Sequence, residues 1–84
     1  MNFNNKNQNF DYVFVASVLN KKSLNGIMSI DHEIIIDLED AIELKNYQRL
    51  YEYVIMMEYS KKDFPNLIPK INLIIKQIKT YFLP

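Results

Sequence analysis

The sequence has no cysteine and no tryptophan, and it contains a single glycine and a single histidine. Without cysteine, the chain can form neither disulfide bonds nor metal sites built on thiolates. One glycine is too few for the glycine-rich loops that bind phosphate groups, and neither a P-loop nor a dinucleotide-binding motif is present. These absences exclude disulfide-stabilised domains and the common nucleotide-binding enzymes.

The sequence also lacks a net charge and a long apolar run. Ten basic and ten acidic residues cancel over 84 residues, which argues against a general nucleic-acid binder, because such proteins depend on clustered Lys and Arg. The longest apolar stretch, within 12–19, is far shorter than the ~20 residues that span a membrane. Residues 1–9 are polar, unlike a signal peptide, and we predict that they are disordered. We therefore expect a small soluble, cytoplasmic protein that does not bind membranes.

Apolar residues recur at helical spacing through most of the chain. This spacing predicts amphipathic helices over 29–45, with Ser29 as the N-cap, over Tyr47–Ser60, with Asn46 as the N-cap, and over 66–83. The predicted core positions of the first and last helices are mostly isoleucines: Ile30, Ile34, Ile35, Leu38, Ala41 and Ile42, and then Leu67, Ile68, Ile71, Ile74, Ile75, Ile78 and Phe82.

Segment 10–19 is ambiguous, because its three valines suit a strand. A helix is favoured, since no other convincing strand is available to pair with it. The alternative is an α+β fold with a β-hairpin at about 12–36, closed by Asn25-Gly26 and followed by two or three helices. We predict an all-α protein, a small antiparallel bundle of three to four helices in a single domain over 10–84.

The segment 41–50 (AIELKNYQRL) resembles the turn of a tetratricopeptide-type helical hairpin, in which a short polar turn precedes an aromatic residue. That family places a small residue where Leu50 stands and uses several consecutive repeats, which this chain lacks. The resemblance covers a small part of the chain and implies a helical hairpin.

The helix Tyr47–Ser60 is apolar on two opposite sides, which indicates contacts in two directions. One side is the predicted core stripe of Tyr47, Leu50, Tyr51, Val54 and Met57. The other is a predicted interaction surface of Tyr53, Met56 and Tyr59, interleaved with Arg49 and Glu52. Segment 10–19 is the alternative cover for this second side. Four apolar residues outside the main stripes would extend an exposed patch: Phe10, Ile36, Leu44 and Leu73.

Helix 29–45 has a predicted acidic face formed by Glu33, Asp37, Asp40 and Glu43. Hard cations prefer oxygen ligands, but a well-formed site usually takes them from two elements, and these four residues share one helix. We therefore interpret them as a solvated face and expect no metal and no cofactor. His32 is interpreted as a surface residue, so we predict no catalytic group.

These observations favour a small non-catalytic protein–protein interaction module, an adaptor, inhibitor or immunity-type regulator that occupies the surface of another protein. The residues do not identify that partner, and self-association as a homodimer is a further prediction. One alternative is a dimeric nucleic-acid-associated regulator that uses Lys21, Lys22 and the C-terminal lysines. The other is a mimic whose acidic helix blocks a nucleic-acid-binding protein.

Overall fold

The computed structural model describes residues 10–20 and 32–82, and within these ranges the regular structure is entirely helical. The helices are α1 (Tyr12–Leu19), α2 (His32–Glu43), α3 (Tyr47–Ser60) and α4 (Ile68–Thr80), with a 3-10 turn at Pro65–Leu67. The predicted all-α bundle is confirmed, and the β-hairpin alternative is wrong, because its first strand is α1. The predictions for 1–9, Lys21, Lys22, Asn25-Gly26, Ser29 and Ile30 lie outside the described residues.

Helix α1 is fixed at its start by a capping carboxylate that the sequence reasoning missed. Asp11 accepts a hydrogen bond of 2.9 Å from the backbone N–H of Phe14, and Lys70 Nζ lies 3.0 Å from the same carboxylate. Phe10 is buried, with its ring edge-on to Tyr12 and Tyr81. This burial corrects the prediction that Phe10 extends an exposed patch. The cap explains why a valine-rich segment forms a helix here.

A short turn joins α2 to α3. The backbone of Lys45 is left-handed (φ 57°), and the N–H of Asn46 donates to the carbonyl of Ala41 at 2.9 Å, which ends α2 in a Schellman motif. The side chain of Asn46 then accepts from the N–H of Arg49 at 3.2 Å and caps α3. The chain therefore reverses within three residues, and α2 and α3 form the helical hairpin that the resemblance implied.

Helix α3 is the central element, in contact with each of the other three helices. Its first residue, Tyr47, meets Phe82 at the end of α4 with ring centroids 6.2 Å apart, so α3 and α4 are antiparallel. The predicted core of α2 and α4 is confirmed at Leu38, Ala41, Ile42, Ile71, Ile74, Ile75 and Ile78. The remaining described positions are only partly buried: Ile34, Ile35, Leu67, Ile68 and Phe82. No helix in the described ranges is long and apolar enough to cross a membrane.

The buried residues of the four helices form a single apolar cluster. Its members are Phe10, Val15, Val18, Leu38, Ala41, Ile42, Leu50, Tyr53, Val54, Met57, Ile71, Ile74, Ile75 and Ile78. Burial of this cluster is the main stabilising contribution of the fold.

Candidate interaction surface

The buried side of α3 is rotated from the predicted one. Leu50, Val54 and Met57 are buried as predicted, but Tyr53 joins them, whereas Tyr47 and Tyr51 are half exposed or more. On a helical wheel the centre of the buried stripe moves by about 60° toward Tyr53. A side chain that is 2% exposed cannot contact a partner, so Tyr53 does not belong to an exposed interaction surface.

The buried Tyr53 reaches a partly exposed polar partner on α2, Asp37. Its hydroxyl donates to Asp37 Oδ2 at 2.6 Å. Arg49 Nε donates to the same oxygen at 2.7 Å, and Arg49 Nη1 donates to Glu52 Oε1 at 2.6 Å. The guanidinium carbon also lies 5.2 Å from the centre of the Tyr53 ring, within the range of a cation–π contact. Arg49 and Tyr53, two of the five residues predicted for the interaction surface, thus link α3 to the acidic helix, and Glu52 pairs with Arg49.

The electrostatics of this cluster are those of a structural contact. The hydrogen bond from Tyr53, with the charge and hydrogen bond of Arg49, lowers the pKa of Asp37 despite some burial. Burial, followed by the nearby Asp37 carboxylate, raises the pKa of Tyr53. A general base needs a pKa close to the working pH, and the shift of Asp37 is in the opposite direction. The cluster therefore holds two helices together and is poorly suited to proton transfer.

The other two residues of the predicted surface, Met56 and Tyr59, remain accessible. Together with Val18, Leu19 and Ser60 they line a groove of about 220 Å³ between α1 and the end of α3. Met56 is 36% exposed and Tyr59 is 65% exposed. Helix α1 thus packs on the Tyr53 side of α3, as the alternative interpretation had it, and leaves Tyr59 uncovered.

The apolar surface of α3 that faces away from the core is a different set from the predicted one. Tyr51, Ile55 and Tyr59 follow one another at intervals of four residues, so they share one side of the helix. All three are exposed, and we call them the α3 outer face. The predicted core position of Tyr51 is wrong, and Ile55 is absent from the predicted surface. The sequence contains these three residues as an i, i+4, i+8 series. The series does not show by itself whether that side is buried, because this depends on the rotation of α3.

The four residues of the predicted acidic face differ in orientation and exposure. Asp37 turns toward α3, whereas Glu33, Asp40 and Glu43 are exposed. Glu33 also lines a cleft of about 340 Å³ beside Asp37, Arg49 and Tyr53. No group of three or more His, Asp or Glu side chains among the described residues could hold a metal ion. His32 is exposed at the start of α2.

No protein-family model, no curated protein and no solved structure matches this chain. The surfaces of the chain itself are therefore the basis for proposing a function.

Proposed function

We propose that this protein is a small non-catalytic interaction module, an adaptor, inhibitor or immunity-type regulator that binds another protein through the α3 outer face. The observation that supports this most directly is the exposure of Tyr51, Ile55 and Tyr59 on one side of a helix whose opposite side is fully used by the core. Tyrosine suits protein interfaces because its ring is apolar and its hydroxyl is polar.

The setting of the α3 outer face supports the same proposal. Met56 and the groove beside α1 adjoin Tyr59, so the apolar surface continues past the helix ridge. Methionine adapts its shape to irregular partners, and a groove beside a ridge gives a partner side chain a place to insert. Lys62 lies 5.6 Å from the centre of the Tyr59 ring and places a cation at the rim.

A comparison of matched baits tests the proposal. Wild-type protein, a variant with Tyr51→Ser and Tyr59→Ser, and a control with Val13→Ser are immobilised and exposed to host lysate, and the retained proteins are quantified. Val13 is similarly exposed but lies on α1. We expect a protein that is retained by the wild type and the control and lost from the double variant. Equal retention by all three baits would contradict the proposal.

One further candidate function has an observation in its favour. Helix α2 contains no Lys or Arg, and Asp40 and Glu43 extend from it into solvent, which suits a mimic that occupies a basic groove. The dependence of partner affinity on salt concentration distinguishes the two candidate functions. An acidic mimic should lose affinity steeply as ionic strength rises, whereas binding through Tyr51 and Tyr59 should change little.

A further inference from the structure

Two helices of the bundle have opposite charge. Helix α2 is acidic without Lys or Arg, and α4 has three lysines without Asp or Glu. Each packs against α3. Where their charges are paired within the described residues, the partners lie elsewhere: Asp37 with Arg49 on α3, and Lys70 with Asp11 before α1. In these pairs of described residues, the charges of α2 and α4 are not used against each other.

The outward side of each of these two helices has one exposed aliphatic residue followed by two charged residues, and the charges are negative on α2 and positive on α4. On α2, Ile36 is 56% exposed and is followed by Asp40 and Glu43; we call these three residues the α2 acidic patch. On α4, Leu73 is 53% exposed and is followed by Lys76 and Lys79, the α4 lysine patch. None of these four charged side chains has an ion pair with another described residue.

The spacing within the two patches also agrees. From Ile36 the carboxylates follow after four and seven residues, and from Leu73 the lysines follow after three and six. At a rise of 1.5 Å per residue, the two series differ by only about 1.5 Å along the helix axis. If the helices lie parallel, Ile36 is level with Leu73, Asp40 with Lys76 and Glu43 with Lys79. The flexible lysine side chains must then reach around α4, on which Lys79 is turned by about 120° from Leu73. In an antiparallel arrangement the aliphatic residues would face charges instead.

We propose that a second copy of this chain docks its α4 lysine patch on the α2 acidic patch of the first, with the two helices parallel. Both helices run antiparallel to α3, so they are parallel within one chain, and a copy displaced sideways with little rotation meets this requirement. The contact is heterologous, because each copy retains one free patch of each kind. Association therefore continues head to tail, and it leaves the α3 outer face free, so the inference does not depend on the proposed function.

Sedimentation velocity over a range of protein concentrations tests this inference. At low ionic strength we expect the average mass to rise above the monomer mass of 10.1 kDa as concentration increases, and to return to it in high salt. One variant carries Asp40→Lys and Glu43→Lys, and a second carries Lys76→Glu and Lys79→Glu. Each alone should stay monomeric, because it has lost one of the two patches and has gained charges that repel the other.

The mixture of the two variants is the decisive sample. The first still has its lysine patch and the second its acidic patch. The reversed patches, lysines on α2 of the first and glutamates on α4 of the second, also complement each other, so the mixture should associate head to tail as the wild type does. Circular dichroism checks that both variants remain helical, and Asp40→Asn with Glu43→Gln provides a milder version of the first. A monomeric wild type at low salt, or a mixture that stays monomeric while the wild type associates, would overturn the inference.

Discussion

The two sides of α3 contain similar residues in opposite environments. The inner side has Tyr53 and Met57 in the core, and the rest of the helix surface has Tyr59 and Met56, both accessible. Residue type therefore does not decide which side is buried. What distinguishes the inner side is a partner on another helix, since Tyr53 meets Asp37 on α2 and Met57 lies in the core shared with α4. The neighbouring helices therefore determine which side of α3 is buried.

The adjacent methionines give the largest expected contrast. Met57→Ala removes a side chain with no exposed surface and should lower the free energy of unfolding by about 2–5 kcal/mol, because the core cannot close the cavity completely. Met56→Ala removes the same atoms from a partly exposed position and should cost well under half as much. Urea unfolding followed by circular dichroism measures both. Equal losses would show that the two methionines do not differ in burial as described.

The tyrosine hydroxyls give the next contrast. Tyr53→Phe removes the hydrogen bond to Asp37 and should cost about 1–2 kcal/mol, since hydrogen bonds to charged groups exceed the neutral average. Tyr59→Phe removes a hydroxyl from a side chain that is mostly in solvent and should leave stability unchanged. The two replacements delete the same atom, so thermal unfolding of both variants compares the environments alone. A silent Tyr53→Phe would mean that the inner side is defined by packing without the polar contact.

The contact of Asp37 with the inner side of α3 should also make the stability of the fold sensitive to acid. Tyr53 and Arg49 lower the pKa of Asp37 in the folded protein, so near the ordinary value of about 3.9 the unfolded chain binds more protons than the folded one. The resulting stability is complete above about pH 5 and is lost as pH falls through the lowered pKa.

Stability measured between neutral and acid pH tests this linkage. The Asp37→Asn variant should be less stable at neutral pH and should lose less on acidification than the wild type. Asp40→Asn, on the outward side of α2, provides the control and should retain the wild-type slope. If both variants follow the wild type, the contact between Asp37 and α3 does not stabilise the fold.

The positions of the helices could be predicted from the sequence, but the side of α3 that is buried could not. The junction at Asn46 and the isoleucines of α4 were predicted because capping and helical spacing are local signals. The rotation of α3 was not, because a helix with apolar residues on both sides has no single hydrophobic direction. The contact of Asp37 with Tyr53 joins residues 16 apart in the sequence, and no spacing rule within one helix can reveal it. The proposed α3 outer face therefore lies on the same helix as the predicted surface and shares Tyr59 with it.

The smallest expected effect lies on the α3 outer face. Tyr51 is 58% exposed, so Tyr51→Gln removes little buried surface, and glutamine is the better helix former. Its free energy of unfolding should stay within about 0.5 kcal/mol of wild type, as surface substitutions usually do. A larger loss would mean that the outer side supports the fold. An unchanged stability would allow any loss of partner binding in Tyr51 variants to be attributed to the surface itself, because the inner side of α3 would be intact.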